Sequence, residues 1–211
     1  KKTLLNFTGS YGTFRNISNQ NMKSYYLAGK TPIYTADINR NSDGTNNLQN
    51  YTVYAKHEFG PEDQTLSWNT NFYHMNRDAG LWQETRFMYP NDTVNTIRNT
   101  HSLNEINSVN SKLDYSQPFG KNMRAETGVQ FYRRFIENSN SINLQNDFFD
   151  YKDTRVAVYG SLIYKYQKFS TQLGIRAEQF SINIYDSVKF GRWNYMPAFT
   201  AMLDLGKSGT V

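Results

Sequence analysis

The stretch FSTQLGIRAEQFSIN, Phe169 to Asn183, alternates with a period of two. Leu173, Ile175 and Ala177 share one side of an extended chain, and Gln172, Gly174, Arg176 and Glu178 share the other. The medium that each side meets decides the fold. A soluble sheet buries its apolar side against a core and hydrates its charges. A membrane barrel turns the same strand round, with the apolar side in hydrocarbon and the charges inside.

The same rhythm recurs along the chain, and almost no segment shows a helical period. Leu5, Phe7, Gly9, Tyr11 and Thr13 line one side of a first strand, and Tyr51, Val53, Ala55, His57 and Phe59 one side of a second. Leu66, Trp68, Thr70 and Phe72 mark a third, Val109, Leu113 and Tyr115 a fourth. In a fifth, Ala125, Val129 and Phe131 oppose Arg124, Glu126, Gly128 and Gln130, so an Arg, a Glu and a Gly again share the polar side. A sixth runs through Val156, Val158, Leu162 and Tyr164, Phe169 to Asn183 is the seventh, and an eighth passes Tyr195, Pro197, Phe199, Ala201, Leu203 and Leu205. Pro197 cannot donate to a ladder and is expected near a strand start or at a bulge.

The connections alternate. Gly60 to Gln64, Pro118 to Asn122, Gln167 with Lys168, and Gly206 to Gly209 read as tight turns. Residues 15–50, 77–107, 136–154 and 185–192 read as long polar excursions, well above the usual median of about 4 to 6 residues. Greek-key sandwiches give no reason for this rule, whereas an outer-membrane barrel does, because its periplasmic turns are short and its external loops long. Alternating runs of about 9 to 13 residues suit a tilted crossing of the hydrocarbon layer. The sequence therefore predicts an all-β, antiparallel up-and-down transmembrane β-barrel segment of about eight strands, with Leu173, Ile175 and Ala177 toward lipid and Arg176 and Glu178 toward the lumen.

Composition agrees. The chain has 211 residues, no cysteine, 16 tyrosines, 14 phenylalanines and a formal net charge of +5. No disulfide, thiol nucleophile or cysteine metal site is available. A mean hydropathy of −0.73 argues against a helical membrane protein but not against a barrel, whose inward residues are polar. Lysine and arginine are scattered singly, so no nucleic-acid surface is expected. No apolar run of about 18 residues offers a transmembrane helix, and KKTLLNFTGS lacks the apolar centre of a signal peptide. Starting without methionine, the chain reads as an internal piece of something longer.

Three segments resemble successive hairpins of a known family: SKLDYSQPFGKNMRAETGVQFYRRF, YGSLIYKYQKFSTQLGIRAEQF and WNYMPAFTAMLDLG. They are similar to the barrel part of TonB-dependent-receptor-like outer membrane proteins of the Bacteroidetes type. In that family a strand with LDY leads through a short turn into a strand with a Gly partway along. A later strand carries GLR-x-E, matched here by Gly174, Ile175, Arg176, Ala177 and Glu178 with Ile in place of Leu, and Tyr195, Met196 and Pro197 approximate a further Tyr-x-x-Pro-like entry. The resemblance covers about half the chain well and the rest through its rhythm. It implies a receptor in the bacterial outer membrane with a barrel of about 22 strands, an N-terminal plug and coupling to TonB. No plug or energy-coupling box is recognisable, so residues 1–211 are expected to be one section of barrel wall. Outer-membrane lipid and a surface lipoprotein complete the expected partners.

Candidate site residues follow from these placements. Arg124, Glu126, Arg176 and Glu178 are lumen-facing charges that either brace the interior or touch a plug. Asp37, Asn39, Asn41 and Asp43 lie in DINRNSDGTNN with the spacing of an oxygen-rich calcium loop, although its twelfth position is Asn50, where such loops carry a bidentate Glu. Phe148, Phe149 and Tyr151, among Asp147, Asp150 and Asp153, suit an interfacial girdle or a ligand loop. Tyr34 and Trp82 are expected to face cargo or a lipoprotein lid. His57, His74 and His101 have no partner at metal-ligand spacing, and no catalytic motif is present, so no enzyme and no resident cofactor beyond a loop calcium ion is expected. Sequons at Asn6, Asn16, Asn50 and Asn91 are what an Asn- and Thr-rich chain gives by chance.

The expected role is import of a scarce nutrient such as a metal chelate, a glycan or a peptide. Two alternatives compete. One is a self-contained eight-stranded adhesin or anchor barrel, disfavoured because LGKSGTV lacks a terminal aromatic. The other is a soluble β-sandwich or lipocalin-like binder.

Overall fold

The computed structural model describes residues 2–60, 64–89, 92–143, 145–185 and 187–204. Eight strands form one antiparallel sheet in sequence order: β1 (Lys2–Ala28), β2 (Thr31–Glu58), β3 (Thr65–Tyr89), β4 (Asp92–Phe119), β5 (Met123–Ile142), β6 (Gln145–Tyr166), β7 (Phe169–Ile184) and β8 (Val188–Leu203). Each pairs with the next in chain order, and β1 and β8 make no contact. There is no second layer among the described residues, which removes the sandwich reading.

Register turns eight separate alternations into one surface. Leu5, Ala55, Trp68, Leu113, Val129, Val158, Ala177 and Tyr195 follow one another across all eight strands as directly paired residues. Two residues further from this sheet's turn end, the next row on the same face is Phe7, Val53, Thr70, Ser111, Phe131, Val156, Gln179 and Trp193. No charged residue enters either row. In the middle of the belt three polar atoms satisfy one another: Trp68 Nε1 donates to Ser111 Oγ at 3.0 Å, and Thr70 Oγ1 lies 2.8 Å from the same oxygen. Hydrocarbon would not satisfy them, so the pairing is what allows these groups to face it.

No dry protein core competes for the apolar side chains. Among the described residues only Ala36 and Ala157 are buried hydrophobics, while Leu173 and Ile175 are 57% and 60% exposed. Exposed apolar residues in an unbroken belt need an apolar medium. The opposite row, Tyr54, Asn69, Lys112, Gln130, Ala157, Glu178 and Asn194, carries the charges.

The strands are longer than the alternation suggests. They span 16 to 28 residues, and what read as excursions at 15–50, 77–107 and 136–154 are paired continuations of β1–β6 that end in tight tips such as Gly29–Lys30. There polar and apolar residues are mixed on both faces, so the ladder continues without a period of two to announce it. Residues 185–192 likewise shorten to a turn near Tyr185 before β8. The turns at Gly120 and Gln167 stand where expected, with Gly120 at a φ of 65° that favours glycine. Pro197 departs from expectation: it lies within β8, opposite Ile175. An antiparallel strand directs its N–H groups alternately to its two neighbours, so a proline withdraws one donor from one side alone. Leu205 and the turn at Gly206 to Gly209 lie outside the described residues.

The belt makes a direct prediction. Val158→Lys, in the middle row, is expected to destabilise the protein in phosphatidylcholine vesicles by about 2–4 kcal/mol, whereas Thr154→Lys, four residue pairs nearer the tips, costs about 0–1 kcal/mol. Urea unfolding followed by tryptophan fluorescence measures both, and equal costs would contradict the belt.

Candidate functional site

The polar face of the sheet is organised by a recurrent local unit, a cation and a carboxylate two residues apart on one strand. Lys56 and Glu58 (2.9 Å), Lys112 and Asp114 (3.1 Å), Asp153 and Arg155 (2.8 Å), and Arg176 and Glu178 (2.6 Å) all follow it, and all lie on the face opposite the apolar belt. Period two makes such residues neighbours on one side of a strand, where each neutralises the other without a helix or a loop.

Cross-strand contacts join these units. Arg176 Nη2 donates to Gln130 Oε1 at 2.9 Å and to Glu178 Oε2 at 2.6 Å, and its guanidinium lies 5.5 Å from the centroid of the Tyr159 ring. Tyr159 Oη donates to Asp114 Oδ1 at 2.5 Å, and the Lys112 ammonium sits 5.2 Å from the same ring. Tyr159 can lie flat across the sheet because its partner in the register is Gly128, where a Cβ would fall 2.5 Å from the ring carbon Cζ. A recess of about 590 Å³ opens here, lined by Lys112, Asp114, Glu126, Tyr159, Gln172 and Arg176.

Further toward the tips the pattern repeats. Asp153 is fully buried, accepts two hydrogen bonds from Arg155 and has Arg134 at 3.7 Å. Arg155 lies over the Tyr132 ring and Arg134 over Tyr151, at 5.5 and 5.6 Å. Aromatic faces and guanidinium groups thus cover a carboxylate that would otherwise be expensive to bury.

At the tips of β1–β3 the same face carries an aromatic cluster. Tyr34 stacks on Tyr26 at 4.2 Å and meets Tyr89 at 5.1 Å and Phe87 at 6.0 Å. Partial desolvation, then the Tyr26 and Tyr89 hydroxyls, raises the Tyr34 phenol above its ordinary pKa.

The other expected residues do not converge. Trp82 lies on the apolar-belt side of β3, the face opposite Tyr34. Phe148 points to that side too, while Phe149, edge-on to Tyr185 at 5.3 Å, and Tyr151 lie on the polar face, all within β6 and not in a loop. Glu126 lines the recess with Arg176, and Arg124 stands one pair nearer the turn. The calcium-loop expectation is corrected. Asp37, Asn39, Asn41 and Asp43 lie along one side of β2, spread by the strand's rise and not wrapped around a point. Asp37 pairs with Lys23 at 3.6 Å and Asp43 with Arg15, whose hydrogen bond holds the Asp43 carboxyl below its ordinary pKa. No metal-holding cluster occurs among the described residues.

The model of the outer membrane protein beta-barrel family matches residues 57–210. The chain belongs to that family. It is accordingly a protein of the bacterial outer membrane, and its apolar belt is the lipid-facing surface. Among solved structures, it is similar to the FrpB iron transporter from Neisseria meningitidis (F3-3 variant), at 8% identity over 98% of this chain and 44% of that one, with a TM-score of 0.42. It is similar to BauA, the ferric preacinetobactin receptor from Acinetobacter baumannii (8% identity, 97% and 45% covered, TM-score 0.42). The alcaligin outer membrane receptor FauA from Bordetella pertussis gives 10% identity, 97% and 41% coverage and a TM-score of 0.42. The chain spans less than half the length of these proteins. No curated protein matches it.

Gly128 and Tyr159 provide the test of the interior network. Gly128→Ala is expected to displace the Tyr159 ring and cost about 1–3 kcal/mol, as overpacking does. Combining it with Tyr159→Ala should cost less than the sum of the two single changes in urea unfolding. Strict additivity would mean that the ring and the glycine do not depend on each other.

Proposed function

We infer that residues 1–211 are a section of the wall of a large outer-membrane receptor that imports a scarce nutrient. The observation that carries this reading is the open sheet: β1 and β8 share no contact, so the eight strands leave two edges. Bare edges cannot stand in hydrocarbon, because their N–H and C=O groups have no partner there. Further strands closing between β8 and β1 would give a barrel wide enough to hold a plug. This argues against an eight-stranded adhesin or anchor.

The resemblance of the Ser111–Phe135, Tyr159–Phe180 and Trp193–Gly206 segments to TonB-dependent receptors supports the same reading. In it, a plug fills the lumen and rests on the polar face, where the recess beside Arg176 and Glu126 offers it both charge signs. TonB supplies the pull, and a surface lipoprotein is a further partner at the extracellular tips. The aromatic cluster around Tyr34 lies on the lumen side of those tips, where ligand arrives. A metal chelate, a glycan and a peptide all present surfaces that stack on such rings.

Cells carrying the intact gene, grown under iron, glycan or peptide limitation, test this. Accumulation of one radiolabelled nutrient class is expected to depend on the gene and to stop when a protonophore collapses the inner-membrane gradient. Accumulation that survives the protonophore would contradict energised import.

A further inference from the structure

The lipid-facing surface carries a groove that no transport role requires. It has a volume of about 540 Å³ and runs between two neighbouring rows of paired residues. Tyr51, Phe72, Val109 and Arg133 form the row nearer the membrane centre, and His74, Asn107, Phe135 and Lys152 the row above it. The lower row begins where the uncharged belt ends, one step beyond Phe131. A tilted crossing takes about 9–11 residues. Arg133 lies 10 positions beyond Met123, the first residue of β5, which places the groove at the level of the outer-leaflet headgroups.

The charges in the groove differ in their compensation. Arg133 is exposed, and its guanidinium makes no ion pair or hydrogen bond with any other described residue. Lys152 lies 3.6 Å from Asp150, with its ammonium 5.3 Å from the centroid of the Phe135 ring. Arg133 and Lys152 are diagonal neighbours, since Arg133 pairs with Thr154 and Phe135 with Lys152. At such separations one phosphate reaches both cations. The carboxylates nearest the groove on this face, Glu105, Glu137 and Asp150, occupy the next row up, beyond Lys152. Glu105 accepts a hydrogen bond from Asn107 at 2.7 Å. Along β5 below Arg133, by contrast, this face carries only Phe131, Val129, Thr127 and Ala125 before Met123.

We propose that this groove binds the phosphate headgroup of an anionic outer-leaflet lipid, with Arg133 and Lys152 on the phosphate and the acyl chains lying down over Phe72, Val109 and Leu113. An uncompensated guanidinium at the edge of hydrocarbon gains a counter-ion there, and the planar fork of Arg133 matches phosphate oxygens. The aromatic rings of Tyr51, Phe72 and Phe135 line the cleft that the chains enter. The proposal depends on the lipid-facing placement of this surface and not on transport, so a protein without import activity still binds the lipid.

Native mass spectrometry of the intact protein, exchanged from detergent into mixed micelles of phosphatidic acid and phosphatidylcholine, tests it. The protein is expected to retain phosphatidic acid in preference to phosphatidylcholine, and Arg133→Gln/Lys152→Gln to lower that retention by about tenfold or more. Arg133→Lys should keep most of it, and Arg98→Gln, a charge change elsewhere, should keep all of it. Equal retention of the two lipids by the unaltered protein would overturn the proposal. So would undiminished phosphatidic acid on the double variant, or displacement of the lipid by excess inorganic phosphate. If the double variant does not fold, the lipid preference of the unaltered protein together with Arg133→Lys decides the matter.

Discussion

In hydrocarbon there is no water to accept a backbone N–H or to donate to a carbonyl, so a chain that crosses it as strands must satisfy every such group with a neighbouring strand. That requirement fixes the pairing of β1 through β8, and the pairing fixes everything else. Once Leu5 faces Ala55 and Ala55 faces Trp68, side-chain alternation sends eight independently patterned strands to the same side. A slip of one residue in any ladder would put charges such as Lys112 and Arg176 into the acyl chains, so the bilayer itself enforces the register.

The opposite face solves a different problem. Its side chains are polar but crowded, and they are held by pairs two residues apart that roof one another across strands. Tyr159 over Gly128 is the hinge of this arrangement, because the ring both spans the space left by the missing side chain and offers Asp114 a hydroxyl while taking Arg176 on its face. The result is a neutralised polar wall opposite the lipid-facing belt. The tips beyond the membrane, where β1–β4 rise far above β7 and β8, carry the aromatic cluster of Tyr26, Tyr34, Phe87 and Tyr89.

Much of this was legible in the sequence, and the reasons differ between regions. The membrane-crossing strands were readable because one face is apolar and the other polar; the apolar residues picked out strand by strand that lie within β1–β8 fall on one surface. Beyond the membrane both faces meet water, so Arg15–Asn50 and its counterparts lose the period and read as loops although the ladder continues. The same loss explains the calcium pattern: Asn39, Asn41 and Asp43 at every second position suit a chelating loop and one side of a strand equally well. Tyr34 and Trp82 looked alike until register placed them on opposite faces. The dependence of Tyr159 on Gly128 had no local signal, since the two meet only through the pairing of β5 with β6, although an Asp, a Tyr and a Gly on polar faces of adjacent strands were a hint.

The orientation of the sheet is the claim on which the account stands. Nitroxide labels placed one at a time at positions 172 to 178 of the intact protein in vesicles read it directly, through their collision rates with oxygen, which concentrates in lipid, and with a water-soluble nickel chelate. The account predicts oxygen maxima at positions 173, 175 and 177 with low oxygen access at 172, 174, 176 and 178; the reverse pattern, or access without a period of two, would contradict it.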